Sequence, residues 1–146
     1  GSAIDARGNM RMASTMGATA FQRGLGAIHA LSHPFGGLYD AHHGLLNGIV
    51  MPYVLVANRR KIETDINRAA AYLGIKGGFN GFLKWIVALR KEIGIPHTLK
   101  DIGIDTKRLD EVAAMAIKDP SAGGNPIQFS EKQYKSLARK CVTGDL

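Results

Sequence analysis

Cysteine is nearly missing from this chain. Its one cysteine, Cys141, excludes a disulfide within the 146 residues and fits a reducing compartment, so a cytoplasmic location is expected. Cys141 falls in an apolar series with Tyr134, Leu137 and Ala138, which predicts buried packing rather than a reactive thiol. Long apolar runs are missing as well. The longest, Ile49 to Ala57, is too short to cross a bilayer and contains Pro52. No apolar stretch follows the N-terminus as a secretory leader would require, and no membrane partner is expected. Acidic residues are scarce: 12 Asp and Glu against 19 Lys and Arg leave a formal charge of +7. Such a balance favours anionic partners in general. Here the basic residues are dispersed, and the densest run is only Arg59-Arg60-Lys61, without interleaved aromatics. A small basic module that binds nucleic acid or a partner protein is therefore the alternative reading, and no nucleic acid is expected.

With 45% hydrophobic and 21% charged residues, the chain has the composition of a globular domain, not of a disordered one. Gly1-Ser2 reads as a cloning scar, leaving residues 3–146 as one domain. Alternating strand patterns are almost absent, and apolar spacing is helical nearly throughout. A first helix is expected over Asp5 to Ala20, with Met12 and Met16 facing inward. Ile62, Ile66, Ala69, Ala70 and Leu73 form one stripe, capped by Gly74. Phe79, Phe82, Leu83, Ile86, Leu89 and Ile93 form another, stopped by Gly94 and Pro96. At that spacing Phe79, Phe82 and Trp85 are expected in the core. Leu109, Val112, Ala113, Ala116 and Ile117 make a third stripe, ending near Asp119-Pro120. Ser121 to Pro126 reads as a loop, and Ser130 to Gln133 as a capping box that opens the last helix. The fold class is all-α, a compact bundle of roughly six to eight helices.

Four of the five histidines, His29, His33, His42 and His43, lie within fifteen residues as H-x3-H-x8-H-H. One histidine on an apolar face is ordinary core; four this close point to a metal or catalytic site. Residues i and i+4 share a helix face, so His29 and His33 could address one ion. Pro34 argues against this, because a residue before proline is pushed out of the helical region. Gly36-Gly37 is then expected to turn the chain, with His43-Gly44 opening a helix that returns a third imidazole. Imidazole suits Fe, Zn, Cu and Ni better than Mg or Ca. Asp40 is the only acid between Asp5 and Glu63, so the site is incomplete on this chain.

Gly24-Leu25-Gly26, His29, His33-Pro34, Gly36, His43-Gly44, Asn47 and Pro52, within the stretch Phe21 to Asn58, resemble the signature of the iron-containing (group III) alcohol dehydrogenases. Weaker similarity continues to the C-terminus. The resemblance implies a helical C-terminal domain of dehydroquinate synthase-like fold, paired in the family with an N-terminal dinucleotide-binding domain. It implies an ion, Fe2+ or Zn2+, held by one Asp and three His, two of which match His29 and His43. His33 matches a residue beside the nicotinamide and substrate, not a ligand, and replaces the first pairing of His29 with His33. His33 could relay a proton or line the cofactor pocket. His42 matches no known role.

The chain departs from the family pattern upstream. Before His29 it has Asp5 as its only acid and no histidine, and it has no G-x-G-x-x-G arrangement after a strand. The resemblance therefore implies a fragment without half the metal shell and without the nucleotide domain. Alone it is expected to bind iron or zinc poorly and to be inactive. In the whole enzyme, reversible hydride transfer between a small alcohol and its aldehyde or ketone is implied, with NAD or NADP as cofactor and a homodimer within the family's range. Asn47, one turn beyond His43, could accept the second N–H of a ligating imidazole or simply pack. Pro52 is expected to kink the His43 helix by pressing on the carbonyl of Gly48.

Overall fold

The computed structural model describes residues 2–146; Gly1, half of the expected cloning scar, lies outside them. Six α-helices follow one another: α1 (Ile4–Phe21), α2 (Ala27–Tyr39), α3 (His43–Tyr72), α4 (Gly78–Glu92), α5 (Leu109–Ala116) and α6 (Glu131–Thr143). Two short 3₁₀ turns, Lys100–Ile102 and Pro120–Gly124, connect them, and the described residues contain no strand. No helix among them is long and apolar enough to cross a membrane.

The long helix α3 is the organising element, about 45 Å from end to end at 1.5 Å per residue. It packs on α2, α4 and α6, while α5 bridges α2 and α6. Leu31, Phe35, Leu46, Ile49, Val50, Leu99 and Val112 are wholly buried where these helices meet. Burial at this scale contributes roughly 1.5–3 kcal/mol per large side chain. The helix expected to open at His43 and the stripe that begins at Ile62 are one continuous helix, with Pro52 inside it and buried. Gly74 adopts the left-handed conformation (φ +70°) just after its end, where a side chain would be strained.

The segment between α4 and α5 is fixed by polar contacts. Tyr53 Oη donates to the carbonyl of His97 at 2.8 Å, and Leu99 N–H donates to the carbonyl of Cys141 at 2.8 Å. Buried Arg90 reaches the carbonyl of Pro96 at 2.7 Å. The capping box opens α6 as expected: Ser130 Oγ accepts from Gln133 N–H, and Gln133 Oε1 accepts from Ser130 N–H. Cys141 is wholly buried, and burial pushes its thiol pKa well up. An aromatic disulfide reagent is accordingly expected to leave the folded chain unlabelled and to react with Cys141 at a rate limited by unfolding; stoichiometric labelling on mixing in native buffer would contradict this.

Several expectations fail here for identifiable reasons. No residue of α1 is buried; Met12 and Met16 are 63% and 65% exposed because no other element among the described residues covers that face. Trp85 is 43% exposed, and Leu89 and Ile93 also face outward, while Phe79 alone of the aromatic trio is buried. Helix α4 has a partner on one side only, so a stripe that wide cannot be covered. The expected loop at Ser121 to Pro126 is largely the 3₁₀ turn, with Ser121, Ala122 and Asn125 buried.

Candidate metal centre

The site is built where α2 and α3 begin and end. Helix α2 starts without a side-chain cap from Gly26; instead Ala27 N–H donates to Asn125 Oδ1 at 3.1 Å. Asn125 is buried and paired with buried Asn58 of α3. Asn58 Nδ2 donates to Asn125 Oδ1 at 2.8 Å, and Asn125 Nδ2 donates to Asn58 Oδ1 at 2.9 Å and to the carbonyl of Ile127 at 2.7 Å. Close approach explains two glycines. A Cβ on Gly26 would sit 3.0 Å from Asn125 Oδ1, and one on Gly124 would sit 2.1 Å from the carbonyl oxygen of Leu25. The first turn of α2 is thus held by residues almost a hundred positions away.

From that anchor α2 runs straight through Pro34, against the expectation that His33 would leave the helix. Pro34 and Phe35 are buried on the core face, and their packing outweighs the one backbone bond that proline removes. His29 and His33 consequently share a face, with ring centroids 5.8 Å apart. Nor does the chain turn at Gly36-Gly37, which lie within α2; it turns at Asp40, whose φ of +52° is left-handed. Asparagine and aspartate tolerate this region best among non-glycine residues.

His42, unassigned from sequence, caps α3: its Nδ1 accepts from Leu45 N–H at 3.3 Å. A side chain at position 44 would crowd the His42 ring at 3.2 Å, which accounts for Gly44. His43 then points back toward α2, its ring 5.2 Å from that of His29 and stacked at 5.3 Å on that of His33. Phe21 closes one side, edge-on to His29 at 6.2 Å. One turn along α3, Asn47 Nδ2 lies 3.3 Å from His29 Nε2 and 3.0 Å from His43 Nε2. The Nε2 atoms of His29 and His43 therefore face one small region.

His33 is engaged differently. Its Nδ1 lies 2.7 Å from Asp119 Oδ2, whose other oxygen accepts from Ser121 N–H at 2.8 Å. Burial by itself would push the Asp119 carboxyl up; the bonds from His33 and Ser121 outweigh it and leave the carboxyl below its ordinary value. An ionised carboxylate only accepts, so His33 donates its Nδ1 proton and keeps the Nε2 lone pair free. For His29, burial foremost and then nearby His43 and His33 hold the imidazolium below its ordinary pKa, which favours the neutral, ligating form.

The donor chemistry fits iron or zinc in part. Two imidazole nitrogens converge, as such ions require. Among the described residues, however, no group of three or more His, Cys, Asp or Glu is arranged to hold a metal ion. Sequence reasoning placed His29, His33 and His43 together but missed Asp119, Asn58 and Asn125. Asp119-Pro120 preceding Ser121 carries a local capping signal, yet nothing local ties it to His33.

Comparison with known proteins identifies relatives of the chain as a whole. The family described as Fe-containing alcohol dehydrogenase, C-terminal, matches residues 1–142. A 1,3-propanediol dehydrogenase of Citrobacter freundii is 34% identical over 96% of this chain and 38% of its own length. A 4-hydroxybutyrate dehydrogenase of Cupriavidus necator is 34% identical over 94% of this chain and, again, 38% of its own length. Among solved structures, a 1,3-propanediol oxidoreductase superposes with a TM-score of 0.75 and 31% identity, covering 80% of this chain and 32% of the other. The chain thus spans well under half the length of these relatives.

Proposed function

This chain belongs to the Fe-containing alcohol dehydrogenase family, as its C-terminal part, and from that premise we propose that it supplies half of the metal site and one wall of the substrate pocket of an NAD(P)-dependent alcohol dehydrogenase. The observation that carries the reading is the convergence of His29 Nε2 and His43 Nε2 beside the His33–Asp119 pair. His29 and His43 would hold Fe2+, or Zn2+, and residues outside this chain would complete the shell. When bound, the metal supplies Lewis-acid polarisation of the alcohol or carbonyl oxygen, and the nicotinamide carries the hydride. The chain's own part is positional and acid–base. His29 and His43 would hold the ion and so set where an oxygen can be polarised. Asp119 holds the His33 proton on Nδ1 and leaves Nε2, on a 43%-exposed side chain, to accept a proton from an alcohol and return it to an alkoxide.

The remainder of the enzyme would include a nucleotide-binding domain. The exposed apolar side chains of α1 support this: Met12 and Met16 lie one turn apart, Met10 and Phe21 lie on the other side of the helix, and apolar residues left uncovered all round a helix mark surfaces that pack against another element. A small alcohol or aldehyde is the substrate class, in keeping with the relatives' names.

The test is a hybrid in which this chain replaces the matching C-terminal part of the Citrobacter freundii 1,3-propanediol dehydrogenase. Iron-dependent, aldehyde-dependent oxidation of NADH or NADPH is expected from the hybrid. A folded, iron-loaded hybrid without that activity would sink the reading.

A further inference from the structure

The reading of His29 and His43 as metal ligands leaves open what prepares them, since an imidazole in water carries its proton on either nitrogen. We propose that Asn47 sets the tautomer of both: its amide nitrogen donates one hydrogen to His29 Nε2 and the other to His43 Nε2, turning two lone pairs toward one point. The inference rests on the proposed function only for its purpose; the tautomers can be read with no metal present.

Two observations, joined by the chemistry of a primary amide, carry it. Asn47 Nδ2 lies within hydrogen-bonding distance of both Nε2 atoms, at 3.3 and 3.0 Å. A primary amide nitrogen has two hydrogens and no acceptor capacity, so two such bonds use it completely and require both Nε2 atoms to be bare. The orientation is also the less costly one. Asn47 Oδ1 is buried without a partner, so the structure leaves one acceptor unpaired. Reversing the amide would leave two donors unpaired in that same buried place and would demand protonated Nε2 atoms on both rings. The amide thus does for the two imidazoles what a cation would do: it presents positive hydrogens to two lone pairs. Its position on α3, one turn beyond His43 and opposite His29 of α2, lets a single side chain discipline both rings. Asn47 is a positioning residue in this scheme. It sits on the Nε2 side of the rings, not behind them as the acceptor of a second N–H.

The experiment is nitrogen-15 NMR of the metal-free chain at alkaline pH, where imidazoles are neutral, with the long-range proton couplings of each ring assigned. In the unsubstituted chain His29 and His43 are expected to show a protonated Nδ1 and a bare, strongly deshielded Nε2. Asn47→Leu, close in volume but without donors, is expected to collapse both patterns toward the averaged tautomer mixture of free imidazole in water. Asn47→Asp, nearly isosteric and an acceptor only, is expected to reverse the pattern to Nε2–H; it keeps the test alive if the leucine variant does not fold. Protonated Nε2 on either ring of the unsubstituted chain, or unchanged tautomers in both variants, would overturn the proposal. Zinc is then added to the unsubstituted chain. Failure of the His29 and His43 Nε2 resonances to move at millimolar zinc would count against the metal reading while leaving the tautomer result intact.

Discussion

Replacing Asn125 with alanine is expected to lower the unfolding free energy of this chain by about 3–4 kcal/mol, a large effect for a polar side chain at the margin of the core. Asn125 Oδ1 accepts from Ala27 N–H and Asn58 Nδ2, while its Nδ2 donates to Asn58 Oδ1 and to Ile127 O. The alanine variant strands all of these groups in a region where Asn58 and Asn125 are each about 95% buried. Each buried polar group left unpaired costs roughly 1–3 kcal/mol, and entry of water into the vacated space recovers part of the total. Asn58→Ala is expected to cost less, because Asn125 keeps Ala27 N–H and Ile127 O. The check is urea unfolding followed by circular dichroism, read as a fall in midpoint at unchanged slope. A loss below about 1 kcal/mol for Asn125→Ala would show that water replaces the network without penalty. The double variant adds a second reading: the two substitutions share partners, so their costs should fall well short of additive.

That network also marks the limit of what is legible in the sequence. The all-helical class, the helix ends at Gly74 and Ser130, the burial of Cys141 and the gathering of three histidines follow from local pattern and from the long signature around them. Asp119 and Asn125 do not, because their partners His33 and Ala27 lie 86 and 98 positions away. No periodicity encodes such a meeting; it depends on how α5 and the turn after it settle on α2. Pro34 misleads for the opposite reason. The local rule predicts a break, and tertiary burial of Pro34 and Phe35 overrides it. Met12, Met16 and Trp85 mislead because helical spacing reports an apolar face without reporting whether this chain contains anything to cover it.

The roles within the histidine cluster separate by substitution in the hybrid enzyme described above. His29→Ala and His43→Ala are each expected to lose bound iron and to lower kcat/KM by on the order of 10³-fold or more, since Lewis-acid stabilisation of several kcal/mol disappears with the ion. His33→Ala is expected to retain iron and still lose roughly 10²- to 10³-fold in kcat, the usual contribution of one proton-transferring group. The distinction follows from the geometry. His33 gives Nδ1 to Asp119, whereas His29 and His43 turn their Nε2 atoms to one place. Asp119→Asn sharpens the point, because an amide no longer requires the Nδ1 proton and releases the His33 tautomer. It should keep iron, keep KM within a few-fold and lower kcat by about 10-fold or more, through the fraction of His33 with a bare, well-directed Nε2. His42→Ala is the internal control: losing an N-terminal cap costs about 1 kcal/mol of stability and should leave iron content unchanged. Iron counted by metal analysis, set beside steady-state rates for the same preparations, decides between these roles. If His33→Ala loses iron as fully as His43→Ala, His33 is a ligand and the division of labour drawn from its bond to Asp119 is wrong.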